Sequence, residues 1–376
     1  MKLLFFTRKI DRRDPRVGFV SDWVDELAKN LDFLYILVWQ KSSAENLPKN
    51  AKLIELPNNI FLKLLVLKFK LLKYIFKVDG VFTHMMPIYA ILVGCFSKIF
   101  KKKLFHWHTH SAVGWKLKLS KLFVDEYITA SKESLRLKTK KKINIFGHGI
   151  NVARFARSNN QDTRNKHQTN INNQTLNIKK FIILSVGRIS PSKNIDILIK
   201  IAEQIKLSDL DFKNKILINI IGGPGLISQN KYYLDLIKEV REKKLNNIID
   251  FIGPLAQEEI IKYYNNCDLF INLSDTGSLD KVVLEAMASG KLVLTSNIAF
   301  KNILDEQLFC SSKDVDYLIN KIKNIYFLDE NIKNKLQNKL KNEVIENHDL
   351  EKLIKNIIKL YEHGIPRQAR DDYKKT

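Results

Sequence analysis

Short apolar runs alternate with longer amphipathic stretches along most of this chain. The runs have the length of buried strands, and the stretches between them repeat apolar residues at the spacing of helices. This alternation predicts an α/β protein with parallel sheets whose faces are covered by helices. The predicted strands are residues 3–7, 34–39, 81–83, 104–107 and 126–129 in the first half and 181–186, 216–221, 248–251, 268–273 and 292–296 in the second.

The amphipathic stretches predict helices of two kinds. Residues 19–31 and the last periodic segment, 346–363, each have a single apolar face. Residues 60–77 are richer in apolar side chains, and at about 100° per residue they form a broad apolar face that contains Lys68. One edge of that face carries a row of lysines, namely Lys63, Lys70, Lys73 and Lys77. Such a helix can lie on an anionic membrane surface, but in an α/β domain an ordinary sheet-covering helix is the favoured interpretation; the membrane interpretation stays open.

The length of the chain indicates two domains. At 376 residues it exceeds what one compact core holds, and each half has its own set of predicted strands. Residues 153–178 lack periodicity and have few large apolar groups, as in a linker. We expect an N-terminal domain at residues 1–152, a polar linker or insertion at 153–178, a C-terminal domain at 179–345, a terminal helix at 346–363 and a disordered tail at 364–376.

The cysteines and the apolar segments favour an intracellular protein without a membrane span. Cys95, Cys267 and Cys310 lie far apart without metal-ligand spacing, so we expect packing roles and a reducing compartment. The longest apolar stretch, residues 85–96, contains Pro87 and is too short to cross a bilayer, which favours a buried helix. We therefore expect a cytoplasmic protein, either soluble or peripheral on the inner face of the cytoplasmic membrane.

Positive charge is concentrated in the first half. The formal net charge is +23, and residues 1–150 contribute +16 of it, from 28 Lys and Arg against 12 Asp and Glu. An excess of this size favours contact with anionic membranes, nucleic acids or phosphorylated ligands. The chain is also rich in Lys, Asn and Ile together, and a compositional bias explains the excess equally well. Charge alone therefore selects no partner.

Residues 277–297 contain a predicted helix start and, within that helix, a carboxylate. An apolar strand is followed by a turn that ends at Gly277, and Ser278 is predicted to cap a helix over residues 279–289. The first turn of a helix exposes unpaired N–H groups and about half a positive charge, which stabilise a bound phosphate. Glu285 lies in this helix among apolar neighbours, where an unpaired carboxylate is costly. The pattern predicts an anion site and favours a ligand-binding Glu285 over a solvated one.

Two loops that follow strands supply cations and glycines. Arg188 and Lys193 lie in one short loop between a strand and a helix, where two cations can grip a diphosphate. Gly222 and Gly223 follow the next strand and allow the backbone to approach a nucleotide closely. Residues 223–228 fail the dinucleotide-binding pattern G-x-G-x-x-G at its last glycine. The loops therefore favour a nucleotide or diphosphate ligand over a dehydrogenase cofactor.

Three histidines lie at the end of a first-half strand, in residues 105–110. His106, His108 and His110 alternate along the chain, so they can share one face and invite a metal interpretation. A zinc site also needs a fixed fourth ligand or water, and the sequence marks none. We expect no metal, a structural role for His106, and a further polar candidate at His84 after the preceding strand.

The residues L-E-A-M-A-S-G at 284–290, taken with Gly187, Arg188 and Lys193, resemble retaining glycosyltransferases of family 4. The resemblance runs from the first strand to about Tyr361. It implies a GT-B architecture, in which two Rossmann-like doubly wound parallel-sheet domains face a cleft. The N-terminal domain would bind the acceptor, the C-terminal domain would bind the nucleotide sugar, and the terminal helix at 346–363 would return to the N-terminal domain. It also implies transfer from a nucleoside-diphosphate sugar, with retention of anomeric configuration and without a metal or other cofactor.

The resemblance gives roles to residues of the second half. Arg188 and Lys193 would neutralise the leaving nucleoside diphosphate in place of a metal. Glu285 would hold the ribose hydroxyls, because a carboxylate accepts two hydrogen bonds from a vicinal diol. Gly222 and Gly223 would lie beside the base.

The resemblance also reaches the first half. His108 matches a family histidine near the transferred sugar, where it would act as a polar contact. Gly18 matches a glycine in the turn after the first strand, which meets the donor phosphate or the acceptor. Three arginines precede it, and the sequence leaves open whether they receive an anionic acceptor or are solvated: Arg12, Arg13 and Arg16.

Gly277 departs from the family pattern. Members usually carry a glutamate eight positions before the position of Glu285, where it meets sugar hydroxyls, and this chain has Gly277 there. Asp275 or Asp280 could supply an acceptor instead. The backbone N–H groups at the helix start could also hold the sugar, or the enzyme could be weakened or inactive. Those N–H groups belong to Ser278, Leu279, Asp280 and Lys281.

The sequence as a whole predicts a glycosyltransferase. It would move a sugar from a nucleoside-diphosphate sugar to a glycan or lipid-linked acceptor in glycan or cell-envelope biosynthesis. Two alternatives stay open: a catalytically weak or inactive nucleotide-sugar-binding protein of the same fold, and a basic peripheral-membrane binding protein. An anionic membrane surface is a candidate partner, and no nucleic acid is expected.

Overall fold

The computed structural model describes residues 1–43, 46–157, 180–208 and 210–363. They form two compact units. Unit 1 comprises residues 1–151 and 348–363, and unit 2 comprises the described residues of 152–347. Most of the predicted linker and all of the predicted tail lie outside the described residues.

Unit 1 is built on one parallel sheet of seven strands. Its strands are β1 (Lys2–Thr7), β2 (Phe33–Val38), β3 (Ala51–Glu55), β4 (Gly80–His84), β5 (Lys103–Trp107), β6 (Glu126–Thr129) and β7 (Lys142–Ile145). Its helices are α1 (Phe19–Lys29), α2 (Ile60–Ile75), α3 (Pro87–Ile99), α4 (Trp115–Ser120) and, at the end of the chain, α13 (Leu350–His363). The strand order β3-β2-β1-β4-β5-β6-β7 reverses its direction between β1 and β4.

The helices of unit 1 cover opposite faces of this sheet. α1 connects β1 to β2, whereas α2, α3 and α4 connect strands that are added in the opposite direction. Because such crossovers are right-handed, α1 lies on one face and α2, α3 and α4 lie on the other. α13 packs against α1, and the hydroxyl of Tyr361 donates to the carbonyl oxygen of Val81 at 2.5 Å. The core of the other face includes Leu67, Leu71, Tyr89 and Leu117.

Unit 2 is built on a second parallel sheet of five strands. Its strands are β8 (Phe181–Val186), β9 (Ile216–Ile221), β10 (Ile249–Gly253), β11 (Leu269–Asn272) and β12 (Leu292–Thr295). Its helices are α5 (Val152–Arg157), α6 (Ile195–Leu207), α7 (Leu210–Lys215), α8 (Asn230–Glu242), α9 (Gln257–Asn266), α10 (Lys281–Ala288), α11 (Val315–Tyr326) and α12 (Glu330–Asn347). The order β10-β9-β8-β11-β12 reverses between β8 and β11.

The predicted α/β class is confirmed, and every predicted strand is present within two residues of its predicted ends. Two strands, β3 and β7, were not predicted. They are the two edges of the unit 1 sheet, and each buries only one residue, Ile54 in β3 and Asn144 in β7. Edge strands carry a weaker apolar pattern because only part of their surface is covered.

Two predictions about individual segments are wrong. The predicted linker begins too early, because residues 152–157 form α5 and the ring of Phe155 is buried against Tyr264 at 6.0 Å between centroids. Cys95 is exposed rather than packed, whereas the other two cysteines are buried. The helix favoured for the apolar stretch 85–96 is present as α3, which runs from Pro87 to Ile99 and follows Met85, a residue with a φ of +67°. Among the described residues, no helix has the length and apolarity to cross a bilayer.

Candidate functional site

The candidate site lies in unit 2 where the strand order reverses. β8 and β11 are neighbours there, and the loops at their carboxyl ends are residues 187–194 and 273–280. Open parallel sheets bind ligands in the crevice at such a reversal, because the two loops diverge to opposite faces. Both loops contain residues that the sequence singled out.

Gly222 fixes the loop after β8 through close backbone contact. The N–H of Gly187 donates to the carbonyl oxygen of Ile221 at 3.0 Å, and that of Ile189 donates to Gly223 at 2.9 Å. Gly222 has a φ of +140°, and a Cβ there would lie 1.8 Å from the carbonyl oxygen of Gly187. Only glycine fits this approach. Gly222 and Gly223 therefore hold the loop of Arg188 in place, whether or not they also lie beside a base.

Arg188 presents an exposed guanidinium at this loop. Its stem lies against Gly225, where an added Cβ would come within 2.7 Å of the Arg188 Cδ. No hydrogen bond or ion pair within the described ranges engages the Arg188 side chain. An exposed guanidinium is always charged and offers a fork of donors, so it is available to an anion such as a phosphate.

Lys193, in contrast, is already engaged. It ends a single 3-10 turn, Pro191–Lys193, and its Nζ donates to the Asp280 Oδ1 at 2.6 Å and to the Ser274 Oγ at 3.1 Å. The side chains of Lys193 and Asp280 are each 12% exposed. The charge of Lys193 is therefore balanced by a carboxylate from the loop after β11. The binding of a diphosphate by Arg188 and Lys193 stays a prediction.

Asp280 is the centre of a polar network. Besides Lys193, its carboxylate accepts hydrogen bonds from the Thr276 hydroxyl at 3.3 Å and from the Asn297 Nδ2 at 3.1 Å. Asn297 is buried and also donates to the carbonyl oxygen of Ser278 at 2.8 Å. The network joins the loops after β8, β11 and β12, so it orders the whole rim of the site.

The start of α10 differs from the prediction. The helix begins at Lys281 with Asp280 as its N-cap residue, two residues later than expected, and Ser278 is not the cap. Gly277 has a φ of +64° and Asp280 is extended, which delays the helical conformation. Leu279 is 4% exposed and belongs to the core. The helix N–H groups that could meet an anion therefore begin at Lys281.

Glu285 is buried and partnered within unit 2. Its carboxylate accepts from the Gln257 Nε2 and from the Tyr264 hydroxyl, each at 3.1 Å, and the Lys281 Nζ lies 3.9 Å away. Burial, together with the charge of Glu285, raises the pKa of Tyr264 well above its ordinary value. The chain itself thus compensates the buried carboxylate. The binding of ribose hydroxyls by Glu285 stays a prediction.

Sequence reasoning missed four residues that shape the site. Asn297 and Asn194 each brace a loop: Asn194 is left-handed, with a φ of +52°, and its Nδ2 donates to the carbonyl oxygen of Leu273 at 2.7 Å. Gln257 and Tyr264 hold Glu285 from α9. Asn297 could have been found, because it is a polar residue directly after a predicted strand. The two α9 residues carry no such signal.

In unit 1, His108 braces a strained turn. Its Nδ1 lies 3.0 Å from the carbonyl oxygen of Met85, the residue with the left-handed backbone after β4. Its Nε2 is buried and has no hydrogen-bond partner among the described residues. Burial lowers the pKa of His108 to about 4, so the ring is neutral near pH 7. A neutral ring with an open Nε2 lone pair accepts a hydrogen bond.

The other histidines of the strand ends do not form a metal centre. His106 is fully buried, its Nδ1 lies 2.8 Å from the Thr83 hydroxyl, and burial lowers its pKa well below the ordinary value. His84 contacts the Thr7 hydroxyl through its Nδ1 at 3.3 Å. Within the ranges that the structure describes, no group of three or more His, Cys, Asp or Glu side chains is placed to hold a metal ion.

The loop after β1 contains a partly neutralised arginine cluster. Arg12 pairs with Asp25, and its Nη1 lies 3.9 Å from Asp22, so it faces α1. Gly18 precedes α1, and its N–H donates to the carbonyl oxygen of Asp14 at 2.9 Å. Arg16 is exposed. Of the two interpretations left open for these arginines, Arg12 fits neither, because it is bound to carboxylates of its own unit.

The buried histidines predict a loss of stability in mild acid. The folded pKa of His108 and of His348 is about 4 because both are buried, against 6.5 for an ordinary histidine. Their stabilisation is complete above pH 6.5 and is lost as the pH falls toward 4, because only the unfolded chain takes up protons in that window. Below pH 6.5 we expect the free energy of unfolding to fall by about 1.4 kcal/mol per pH unit for each of these histidines.

Urea denaturation at pH 7.5, 6.5 and 5.5 measures this loss. The variant His108→Asn removes one titrating ring, so its free energy of unfolding should fall less steeply with acid than that of wild type. A free energy of unfolding that does not change between pH 7.5 and pH 5.5 would contradict the buried, neutral state of these rings.

Part of this chain is similar to a known family and to known proteins. Residues 166–348 match the family described as Glycosyl transferases group 1. The chain is 28% identical over 179 residues to the alpha-monoglucosyldiacylglycerol synthase of Streptococcus pneumoniae, which covers 46% of this chain and 36% of that protein. It is 24% identical over 119 residues to the D-inositol 3-phosphate glycosyltransferase of Streptosporangium roseum, covering 31% of this chain and 27% of that protein. The matched segments thus span about a third of each relative.

Solved structures share the fold over nearly the whole chain. The structure of HepE from Anabaena in complex with UDP-glucose has a TM-score of 0.70 at 15% identity, and covers 96% of this chain and 100% of that one. A glycosyltransferase from Rickettsia africae has a TM-score of 0.74 at 19% identity, with 96% and 98% covered. At such identities the likeness concerns the fold alone. The family match and the shared fold support a glycosyltransferase of the GT-B fold.

Proposed function

We propose that this chain transfers a glycosyl group from a nucleoside-diphosphate sugar to an acceptor, with retention of configuration and without a metal. The observation that carries the proposal is Arg188, an exposed guanidinium without a partner in the described residues, held at the strand-order reversal of unit 2. The family match over residues 166–348 supports the same reaction class.

The chemistry requires a cation at the leaving group. As the glycosidic bond to the diphosphate breaks, positive charge develops on the sugar and negative charge on the departing phosphate. Preorganised donors stabilise that negative charge because they need no reorganisation when the charge appears. Arg188 supplies a forked donor, and the first N–H groups of α10, from Lys281 onward, supply backbone donors on the adjacent loop.

Lys193 contributes in a different way from a free cation. With Asp280 as its partner it carries little net charge toward a ligand, and its main effect in this state is to hold the two loops together. A diphosphate that approaches the pair would compete with Asp280 for the Lys193 Nζ. We infer that Lys193 reaches the leaving phosphate by exchanging partners, while Asn297 and Thr276 keep Asp280 in place.

Three further roles complete the proposal. Glu285 accepts the ribose hydroxyls, with Gln257 and Tyr264 fixing its carboxylate. Gly222 and Gly223 lie beside the base. His108 accepts a hydrogen bond from a sugar hydroxyl through its Nε2.

The names of the relatives indicate which substrates to test first. HepE was solved with UDP-glucose, and the pneumococcal relative is an alpha-monoglucosyldiacylglycerol synthase. Uridine nucleotides are therefore the first donors to test here, and glycan or lipid-linked molecules the first acceptors. We propose a cytoplasmic site of action for this reaction.

A second candidate function is a nucleotide-sugar-binding protein with weak or absent turnover. Two observations favour it: Gly277 replaces the glutamate that meets sugar hydroxyls in the resembling family, and Lys193 is paired with Asp280. The two candidates share the nucleotide contacts, so they differ in turnover and not in binding.

A thermal-shift panel of nucleoside diphosphates and their sugars, with and without EDTA, tests the proposal. A ligand at about 100 times its dissociation constant adds about 2.7 kcal/mol to the folded state. We expect a shift that is selective for one base, unchanged by EDTA, and smaller in Glu285→Gln, which keeps the size of the side chain but removes its charge. The anomeric configuration of the product, read by NMR, then tests retention.

The outcomes separate the alternatives. No shift with any nucleotide would overturn the donor site. A shift that EDTA abolishes would overturn metal independence. A selective shift without turnover on any acceptor, and without hydrolysis of the donor, would favour the binding protein over the enzyme.

A further inference from the structure

The helix α2 leaves an unusually apolar surface uncovered. The surface called here the α2 outer face consists of Phe61, Leu65, Lys68, Phe69 and Leu72 of this helix and of Phe76, the residue directly after its end. Phe61 is 82% exposed, and Phe69 and Phe76 are each 65% exposed. Single exposed apolar residues are ordinary on protein surfaces, but a contiguous group of this kind marks an interaction site.

The six residues form one continuous stripe. Their spacing of four, three, one, three and four places them on the same side of a helix. The opposite side packs on the sheet through Leu67, Leu71, Tyr74 and Ile75, which are all buried. α2 therefore has apolar residues on both sides, although an ordinary helix that covers a sheet needs only one apolar face.

Lys63 makes the outer face more apolar than the sequence predicted. The helical pattern placed Lys63 on the lysine edge, but it is 6% exposed and points into unit 1. Its Nζ donates to the carbonyl oxygen of Trp39 at 2.9 Å and lies 4.8 Å from the centre of the Trp39 ring. The exposed cations of α2 and its end are thus Lys68, which lies within the stripe, and Lys73 and Lys77, which directly follow the stripe residues Leu72 and Phe76.

The same side of unit 1 has no acidic residue on its helices. α2, α3 and α4 together contain seven lysines and not one Asp or Glu, whereas α1 on the other face contains Asp22, Asp25 and Glu26. The end of α3 adjoins the stripe, because the rings of Phe76 and Phe100 meet edge to face at 4.5 Å between centroids. The surface there continues with exposed Lys98, Ile99 and Lys101.

We propose that the α2 outer face docks on an anionic lipid bilayer. The aromatic and leucine side chains would enter the interface between headgroups and acyl chains, and the flanking lysines would contact lipid phosphates. Lys68 lies within the stripe, and its long stem lets the ammonium reach the headgroups while the neighbouring rings insert. The whole surface therefore matches a boundary that is apolar on one side and anionic on the other.

Two other occupants fit the observations less well. A second copy of the chain in a two-fold contact would bring lysines against lysines, with no acidic residue on α2, α3 or α4 to balance them. A nucleic acid presents phosphates, yet the centre of this surface is occupied by phenylalanine and leucine. A nucleic acid therefore offers no apolar phase for the stripe.

Vesicle sedimentation of the full chain tests the proposal. We expect binding to vesicles of equal parts phosphatidylglycerol and phosphatidylcholine, and little binding to pure phosphatidylcholine. Phe61→Ser with Phe69→Ser should weaken binding about tenfold or more, because each ring loses apolar burial. The matched control is Leu207→Ser with Phe327→Ser, two residues of unit 2 that are 81% and 75% exposed, and it should bind as wild type does.

A charge variant tests the second half of the argument. Lys68→Ala should weaken binding about fivefold, since a lysine near an anionic surface contributes about 1 kcal/mol. All the changed residues are exposed, so we expect every variant to fold, and its thermal midpoint checks this. Absence of wild-type binding to the anionic vesicles, or equal binding of the Phe61/Phe69 variant, would overturn the proposal. A wild-type dimer that the same variant dissociates would overturn it in favour of a second copy.

Discussion

Replacing Arg188 by alanine should lower glycosyl transfer about a hundredfold or more while leaving the fold unchanged. A preorganised donor to the charge that develops in a transition state contributes about 2.7–4 kcal/mol, and Arg188 is the exposed cation of the loop after β8. Because the side chain is exposed and makes no hydrogen bond within the described residues, its loss should not alter the thermal midpoint. Steady-state kinetics on the donor found in the nucleotide panel measures the effect.

Two further variants sharpen this test. Arg188→Lys keeps the charge but loses the planar fork, so its turnover should lie between those of wild type and Arg188→Ala. Arg241→Ala removes another exposed arginine, at the end of α8, and should leave turnover unchanged. Full activity of the Arg188→Ala variant would show that this guanidinium takes no part in the reaction.

Replacing Asp280 by alanine should lower both the stability of the fold and the rate of glycosyl transfer. Asp280→Ala leaves the mostly buried Lys193 ammonium with Ser274 as its one remaining partner in the described network, and takes away an acceptor of Asn297. Breaking one side of a buried pair costs about 3–5 kcal/mol, and the 12% exposure of both side chains favours the lower end. Urea denaturation measures the loss.

A double variant separates the pair from its parts. Lys193→Met with Asp280→Leu removes both charges, so much of the lost stability should return, because no buried charge is left unpaired. Turnover should not return, since the loops no longer offer Lys193 to the leaving phosphate. As a matched control, Glu242→Ala breaks the exposed pair with Lys238 and should leave the denaturation midpoint in place. An Asp280→Ala variant as stable as wild type would contradict the network.

Much of the fold followed from local apolar pattern. The inner strands of both sheets are nearly continuous apolar runs, such as residues 181–186 and 216–221, because parallel strands are covered on both faces. The edge strand β3 buries only Ile54, so its run of residues gives a weak signal. The helix α10 begins at Lys281, two residues later than predicted. The backbone conformations of Gly277 and Asp280 delay its start, and composition does not reveal those conformations.

The site was predicted in part. Its position followed from the rule that ligands bind after parallel strands, and both candidate loops meet where the strand order of unit 2 reverses. The pairing of Lys193 with Asp280 joins residues 87 positions apart, and no local pattern predicts which cation a carboxylate will meet. The position of Lys63 could not be predicted for the same reason. A helical wheel gives the side of the helix on which Lys63 lies, but it does not show that the Lys63 Nζ donates to the carbonyl oxygen of Trp39 inside unit 1.

Hydrogen exchange with and without the nucleoside diphosphate that gives the largest thermal shift tests the central claim most directly, because it locates the ligand on the chain. The account predicts slower exchange in residues 187–194 and at the start of α10, residues 281–285, with little change in the helices of unit 1. Slower exchange confined to unit 1, or none in the loops after β8 and β11 despite bound nucleotide, would contradict a donor site at the strand-order reversal.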